Sequence, residues 1–164
     1  MSKLRLNEIK SMADKAHRDK RFREGLFSAM LSDGGREEVY NAAWALTHLP
    51  AVDDKYIDDY RGELVRLAVS TADASIRRLA LTLLERLDWG RDAVGTDLLD
   101  FNLKHMIMAG EPYGVRALCV KLAYVQCRHY PELVEELKLH LSLMEDTDMS
   151  PGLKHAYRHV LDVL

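Results

Sequence analysis

A chain of 164 residues with a formal net charge of −3 has the length of one domain, able to bury roughly 70% of its unfolded surface unaided. Hydrophobic residues at 48% and charged residues at 30% describe an ordinary globular protein, and only 9 glycines and 4 prolines favour helices over a β-sandwich. The acidic balance argues against a dedicated nucleic-acid binder, and no apolar run has the length of a signal peptide or a membrane span.

Taken in chain order, the first expected element is an amphipathic helix over about 4–18, with Leu4, Leu6, Ile9, Met12, Ala13 and Ala16 on one face. Apolar-periodic segments then come in pairs. Segment 22–31 precedes "EVYNAAWALTHL", 56–69 precedes "SIRRLALTLLERL", 98–108 precedes "GVRALCVKLAYV", and 133–144 precedes "GLKHAYRHVLDVL". The pairs occupy about 20–50, 51–88, 92–129 and 131–164, and no period-two strand pattern competes. Turn signals at 32–35, 71–74, 109–112 and 146–152 divide the members of each pair. Asp33, Asp73 and Ser150 are expected as helix N-caps, and Pro112 and Pro151 suit a first helical turn. The acids Asp53, Asp54, Asp58 and Asp59 read as capping and solvating a helix start. Cys119 and Cys127 stand eight apart on one expected helix, too far along its axis to pair, so two free thiols point to the reducing cytoplasm.

The second segments are one pattern written four times. Their first core positions are Val39, Ile76, Val115 and Leu153, at separations of 37, 39 and 38. From each, apolar residues recur at +3, +4 and +7: Ala42, Ala43, Leu46; Leu79, Ala80, Leu83; Leu118, Cys119, Leu122; Ala156, Tyr157, Val160. Each pair thus has an apolar face that its neighbour can bury. With Ile76-Arg77…Ala80…Leu84 and Val115-Arg116…Cys119…Ala123 as the nearest matches, the pattern resembles a HEAT repeat of the armadillo/HEAT superfamily. The resemblance covers 20–164. It implies an all-α, right-handed α-α superhelix (a solenoid) of about four hairpins plus the N-terminal helix, in one domain over 1–164.

The resemblance also implies that the second helices line a groove. At about 100° per residue, positions +1, +2, +5, +6 and +9 are expected to point away from the core. Read as rows, they collect Arg77, Arg78, Arg116, Lys121, Lys154 and Arg158 beside an aromatic and apolar edge of Tyr40, Trp44, Leu81, Val120 and Tyr124. Such a surface suits an acidic peptide, with arginine forks for carboxylates and the rings as anchors. In the resembled family the +1 arginine commonly bonds an acid in a neighbouring turn, so Arg77 and Arg116 have that structural reading too, with Asp33, Asp73, Glu111 and Asp148 as partners.

No cofactor or metal site is expected. His155 and His159 have the i, i+4 spacing of a chelating pair but no third ligand, and read as exposed helix histidines. GxSxG, GxxxxGK[ST] and GxGxxG are absent from the chain. The expected function is a cytoplasmic, non-enzymatic scaffold for a protein or acidic peptide partner. Some members of the resembled superfamily are DNA-repair glycosylases or lyases, so a nucleic-acid binder or glycosylase, or a small all-α lyase, stands as the alternative.

Overall fold

A computed structural model describes residues 4–93, 95–145 and 147–164; residues 1–3, and Val94 and Asp146 in two expected turns, lie outside the described residues. Helix follows helix: α1 (Leu6–Arg18), α2 (Lys20–Met30), α3 (Arg36–Thr47), α4 (Asp54–Asp58), α5 (Arg61–Ser70), α6 (Ala74–Glu85), α7 (Thr96–His105), α8 (Tyr113–Cys127), α9 (Pro131–Ser142) and α10 (Pro151–Val163). Single 3₁₀ turns occupy Ala51–Asp53 and Arg91–Ala93, and no strand occurs among the described residues. The all-α architecture read from the period is therefore the one observed.

The chain divides into two compact units, Met1–Leu87 and Asp88–Leu164. In unit one, α2 packs on α3 and α5 on α6, the two second helices α3 and α6 lie against each other, and α1 covers α2 and α3. Ile9, Ala13 and Ala16 are the buried face of α1, which is why its i, i+4, i+7 spacing makes a covering helix. Unit two repeats the scheme, with α7 on α8, α9 on α10, and α8 against α10. Burying leucines such as Leu83, Leu122 and Leu137 completely contributes roughly 1.5–3 kcal/mol each.

The caps follow the sequence in part. The Asp73 carboxylate accepts from the Ser75 and Ile76 N–H groups at 2.9 and 3.1 Å, and the Ser150 hydroxyl accepts from Leu153 N–H at 3.2 Å. Pro151 opens α10, whereas Pro112 sits one place before α8 as its N-cap. Asp33 is not a cap: Gly35 occupies that position, because Arg36 is the first helical residue of α3. Asp53 stands at the N-cap place of α4, but its side chain makes no cap bond and does not face solvent. It is 3% exposed and receives His17 Nδ1–H at 2.7 Å, the only cheap way to bury a carboxylate there being a charged or polar partner. The expected continuous helix over 56–69 is interrupted between α4 and α5, where Tyr60 turns to stack on Phe27 with ring centroids 4.0 Å apart and planes 9° from parallel.

Polar links tie together segments that lie about one repeat apart in the chain. In unit one Leu4 N–H donates to Asn41 Oδ1 (3.2 Å), Arg36 Nε to Asp73 Oδ2 (2.5 Å), and Arg86 to the carbonyls of Thr47 and Pro50 (3.3 and 3.1 Å) as well as to Asp54. The bond to Thr47 satisfies a carbonyl freed at the end of α3, and the bond to Pro50 ties the same guanidinium to the connection that follows. In unit two Tyr113 O–H donates to Asp148 (2.9 Å), His129 Nε2 to the Trp89 carbonyl (3.1 Å), and Tyr130 O–H to the Arg91 carbonyl (2.9 Å). Such bonds fix the register of one hairpin on the next, which apolar packing alone leaves loose.

Candidate interaction surface

The expected surface consists of second-helix positions, and the helices differ in how much of it they expose. Around α3, three neighbours (α1, α2 and α6) bury seven of its twelve residues, including Tyr40, Asn41 and Ala45 of the expected outer rows. Tyr40 is 8% exposed, with the Arg36 guanidinium 5.5 Å from its ring centroid and Trp44 tilted beside it at 6.0 Å. Trp44 is half-buried and also meets the His48 ring at 6.3 Å. Within the +5 row, Leu81 in unit one and Val120 in unit two are turned inward and 0% exposed, whereas Arg158 faces solvent. The continuous apolar edge expected on the outer face is thus largely core, because a helix with neighbours on several sides buries much more than one stripe.

The +1 arginines are anchors inside their own hairpins. Arg77 Nε donates to the Ala68 carbonyl at 2.9 Å, and its Nη2 reaches the Thr71 carbonyl, both at the end of α5. Arg116 is 4% exposed and donates from Nε to the Met106 carbonyl at 3.0 Å, at the end of α7. A guanidinium suits this work: it meets the orphaned carbonyls and the negative end of the helix dipole together. Of the four turn acids expected as its partners, Asp33 is exposed and the other three are engaged otherwise. Asp73 takes Arg36, Asp148 takes Tyr113, and Glu111, 7% exposed, takes His105 Nδ1–H at 2.5 Å while Phe101 stacks on the same imidazole at 3.7 Å. The Asp148 carboxylate raises the Tyr113 phenol by accepting its hydrogen bond.

Arg78 in unit one and Lys121, Lys154 and Arg158 in unit two remain exposed, with Tyr124 half-buried. None of these four cations pairs with a carboxylate among the described residues. In unit one Arg78 has the exposed Glu85 on its own helix, so the charge there is mixed. In unit two α8 and α10 pack together, and α10 turns Lys154, His155, Arg158 and His159 to solvent, with the one acid Asp162 among them, around a concavity of about 360 Å³. Of the nine expected surface residues, then, unit two gathers Lys121, Tyr124, Lys154 and Arg158 on a helix pair, while Tyr40 and Arg116 lie inside. Among the described residues no three of His, Cys, Asp and Glu gather to hold a metal ion, and no helix is long and apolar enough to cross a membrane.

Sequence reasoning passed over one charged residue. Arg23 occupies the inward phase of α2, ahead of Leu26, Phe27 and Met30, at i, i+3, i+4 and i+7. A cation at a position the helical period assigns to the core is the signal that marks it.

No curated protein and no solved structure matches the chain. A family model described as a HEAT repeat domain matches it over residues 1–164. With the hairpins, the stacked second helices and that match together, the chain belongs to the HEAT repeat domain family.

Proposed function

We propose that the chain is a non-enzymatic scaffold module that holds an acidic protein segment on the exposed face of α8 and α10. The observation that carries this reading is the set Lys121, Lys154 and Arg158, exposed on two helices packed together and without carboxylate partners among the described residues. Cations with no internal partner keep their donors for a ligand, and Arg158 offers the planar fork that grips a carboxylate. Tyr124, three residues beyond Lys121, adds an amphipathic ring. The free thiols of Cys119 and Cys127 suit a cytoplasmic setting.

A fluorescent glutamate-rich peptide titrated onto the full chain tests it. Reversing charge at Lys121→Glu and Arg158→Glu together should weaken capture by about tenfold, the effect of losing two partly screened ion pairs. Arg78→Glu should change it by less than about twofold. Equal capture by all three proteins would sink the proposal. Preference for duplex DNA, with affinity falling steeply as salt rises, would give the surface to nucleic acid instead.

A further inference from the structure

A second cavity, of about 560 Å³, opens in unit one where the α1–α2 junction meets α4 and α5. It contains none of the surface residues discussed above. Arg23 lines it while being only 6% exposed. One of its nitrogens, Nη1, donates to the Ala16 carbonyl at 2.9 Å, and the guanidinium carbon lies 3.8 Å from the Tyr56 ring centroid. No carboxylate pairs with it among the described residues, and its remaining N–H groups are not sealed in protein but open on the cavity. Without a counter-ion, a guanidinium so little exposed is only partly hydrated, and the ring contact offsets only part of that loss.

The walls point to what supplies that counter-ion. Arg18 and Lys20 line the same space, as does His17, whose Nδ1 is tied to the buried Asp53 so that Nε2 has no protein partner among the described residues. Glu24 and Asp59 are the opposing acids, and Glu24 lies 3.7 Å from Lys20. The donors outnumber what the two oxygens of a carboxylate use, and match the three oxygens of a phosphoryl group. The volume is that of a small-molecule site rather than of a bare anion, and Tyr56 and Tyr60 offer it rings. We propose that this cavity binds a phosphoryl group carried by a small organic molecule, with the Arg23 guanidinium as the fork that grips it.

Phenyl phosphate, inorganic phosphate and benzoate, titrated separately onto the full chain with arginine side-chain nitrogens observed by NMR, test the assignment. The Arg23 Nε resonance should shift saturably with phenyl phosphate, with inorganic phosphate bound about tenfold more weakly and benzoate more weakly still. Arg23→Lys keeps the charge and removes the fork, and should cost about tenfold in phenyl phosphate affinity. Because Arg23 also holds the Ala16 carbonyl, the exposed pair Arg18→Gln and Lys20→Gln supplies an independent arm: several-fold weaker binding with unchanged circular dichroism. Absence of a saturable shift, or affinity unchanged in the exposed double variant, overturns the site. Benzoate binding as tightly as phenyl phosphate overturns the phosphoryl assignment, and inorganic phosphate binding as tightly overturns the organic body.

Discussion

The second helices α3 and α10 are written in the same apolar period, yet α3 buries seven of twelve residues and α10 three of thirteen. The difference lies in neighbours: α1, α2 and α6 pack on α3, whereas α8 and α9 pack on α10. The residues off the shared stripe agree with this. At the second and sixth positions past the first core residue, α3 has Asn41 and Ala45, 2% and 0% exposed, and α10 has the exposed His155 and His159. Period tells which face is buried first; the size and charge of the remaining positions tell how many sides are covered.

The sharpest way to break that comparison is to place the same residue at the same repeat position of both helices. Ala45→Arg forces a long cation into a filled interior and should destabilise unit one by about 4 kcal/mol or more, whereas His159→Arg should stay within about 0.5 kcal/mol. Urea unfolding followed through Trp44 for the first and Trp89 for the second reads both, since each unit carries one tryptophan. Comparable losses in the two variants would mean that α10 is as enclosed as α3.

A smaller contrast is expected at the links between repeats. Asp73→Ala removes a helix cap and an inter-repeat ion pair and should cost about 1–2 kcal/mol; Asp148→Ala, which loses one exposed hydrogen bond, about 0.5 kcal/mol. Burial pushes the Asp73 carboxyl up, but the hydrogen bonds from Arg36 and from the Ile76 and Ser75 N–H groups, with the guanidinium's charge, outweigh it and hold the group below the usual carboxylate range. A carboxyl lowered on folding contributes stability that is complete above its unfolded value. That stability drains away as pH falls through the folded one. The gap between wild type and Asp73→Ala should therefore be flat from neutral pH to about 5 and close below about 4. A gap that widens in acid would contradict the ion pair.

The least perturbing comparison is chemical. Burial, with the charge of Glu136 behind it, pushes the Cys127 thiol up to about 12, and Cys119 is buried in the same helix. Neither should react with a disulfide reagent at pH 8 in the native chain, and both should react once urea opens unit two. Prompt native reaction of either thiol would show that α8 is not packed as its period demands.

Much of the fold was legible in the sequence because helices bury stripes and stripes recur at 3.6 residues. The four-fold pattern at separations of 37 to 39 carried the hairpins, and Asp73, Ser150 and Pro151 marked helix starts by local chemistry. The surface was legible only in part. Arg116 and Lys154 hold the same repeat position, yet one is 4% exposed on the Met106 carbonyl and the other is in solvent. Nothing local distinguishes them, since their fates depend on the carbonyls and helices that reach each position. Arg23 was open to detection from its phase on α2, but its cavity was not, because Tyr56 and Tyr60 come from a segment more than thirty residues away.

Local periodicity, turn residues and caps are properties of neighbouring residues along the chain, and they determined here that it is helical, paired and repeated. Which outer positions are solvent, which acids meet which cations, and where a buried charge opens on a cavity depend on distant segments brought within a few ångströms. Dispersion, desolvation and hydrogen bonding act only at that range, so the tertiary structure decided them.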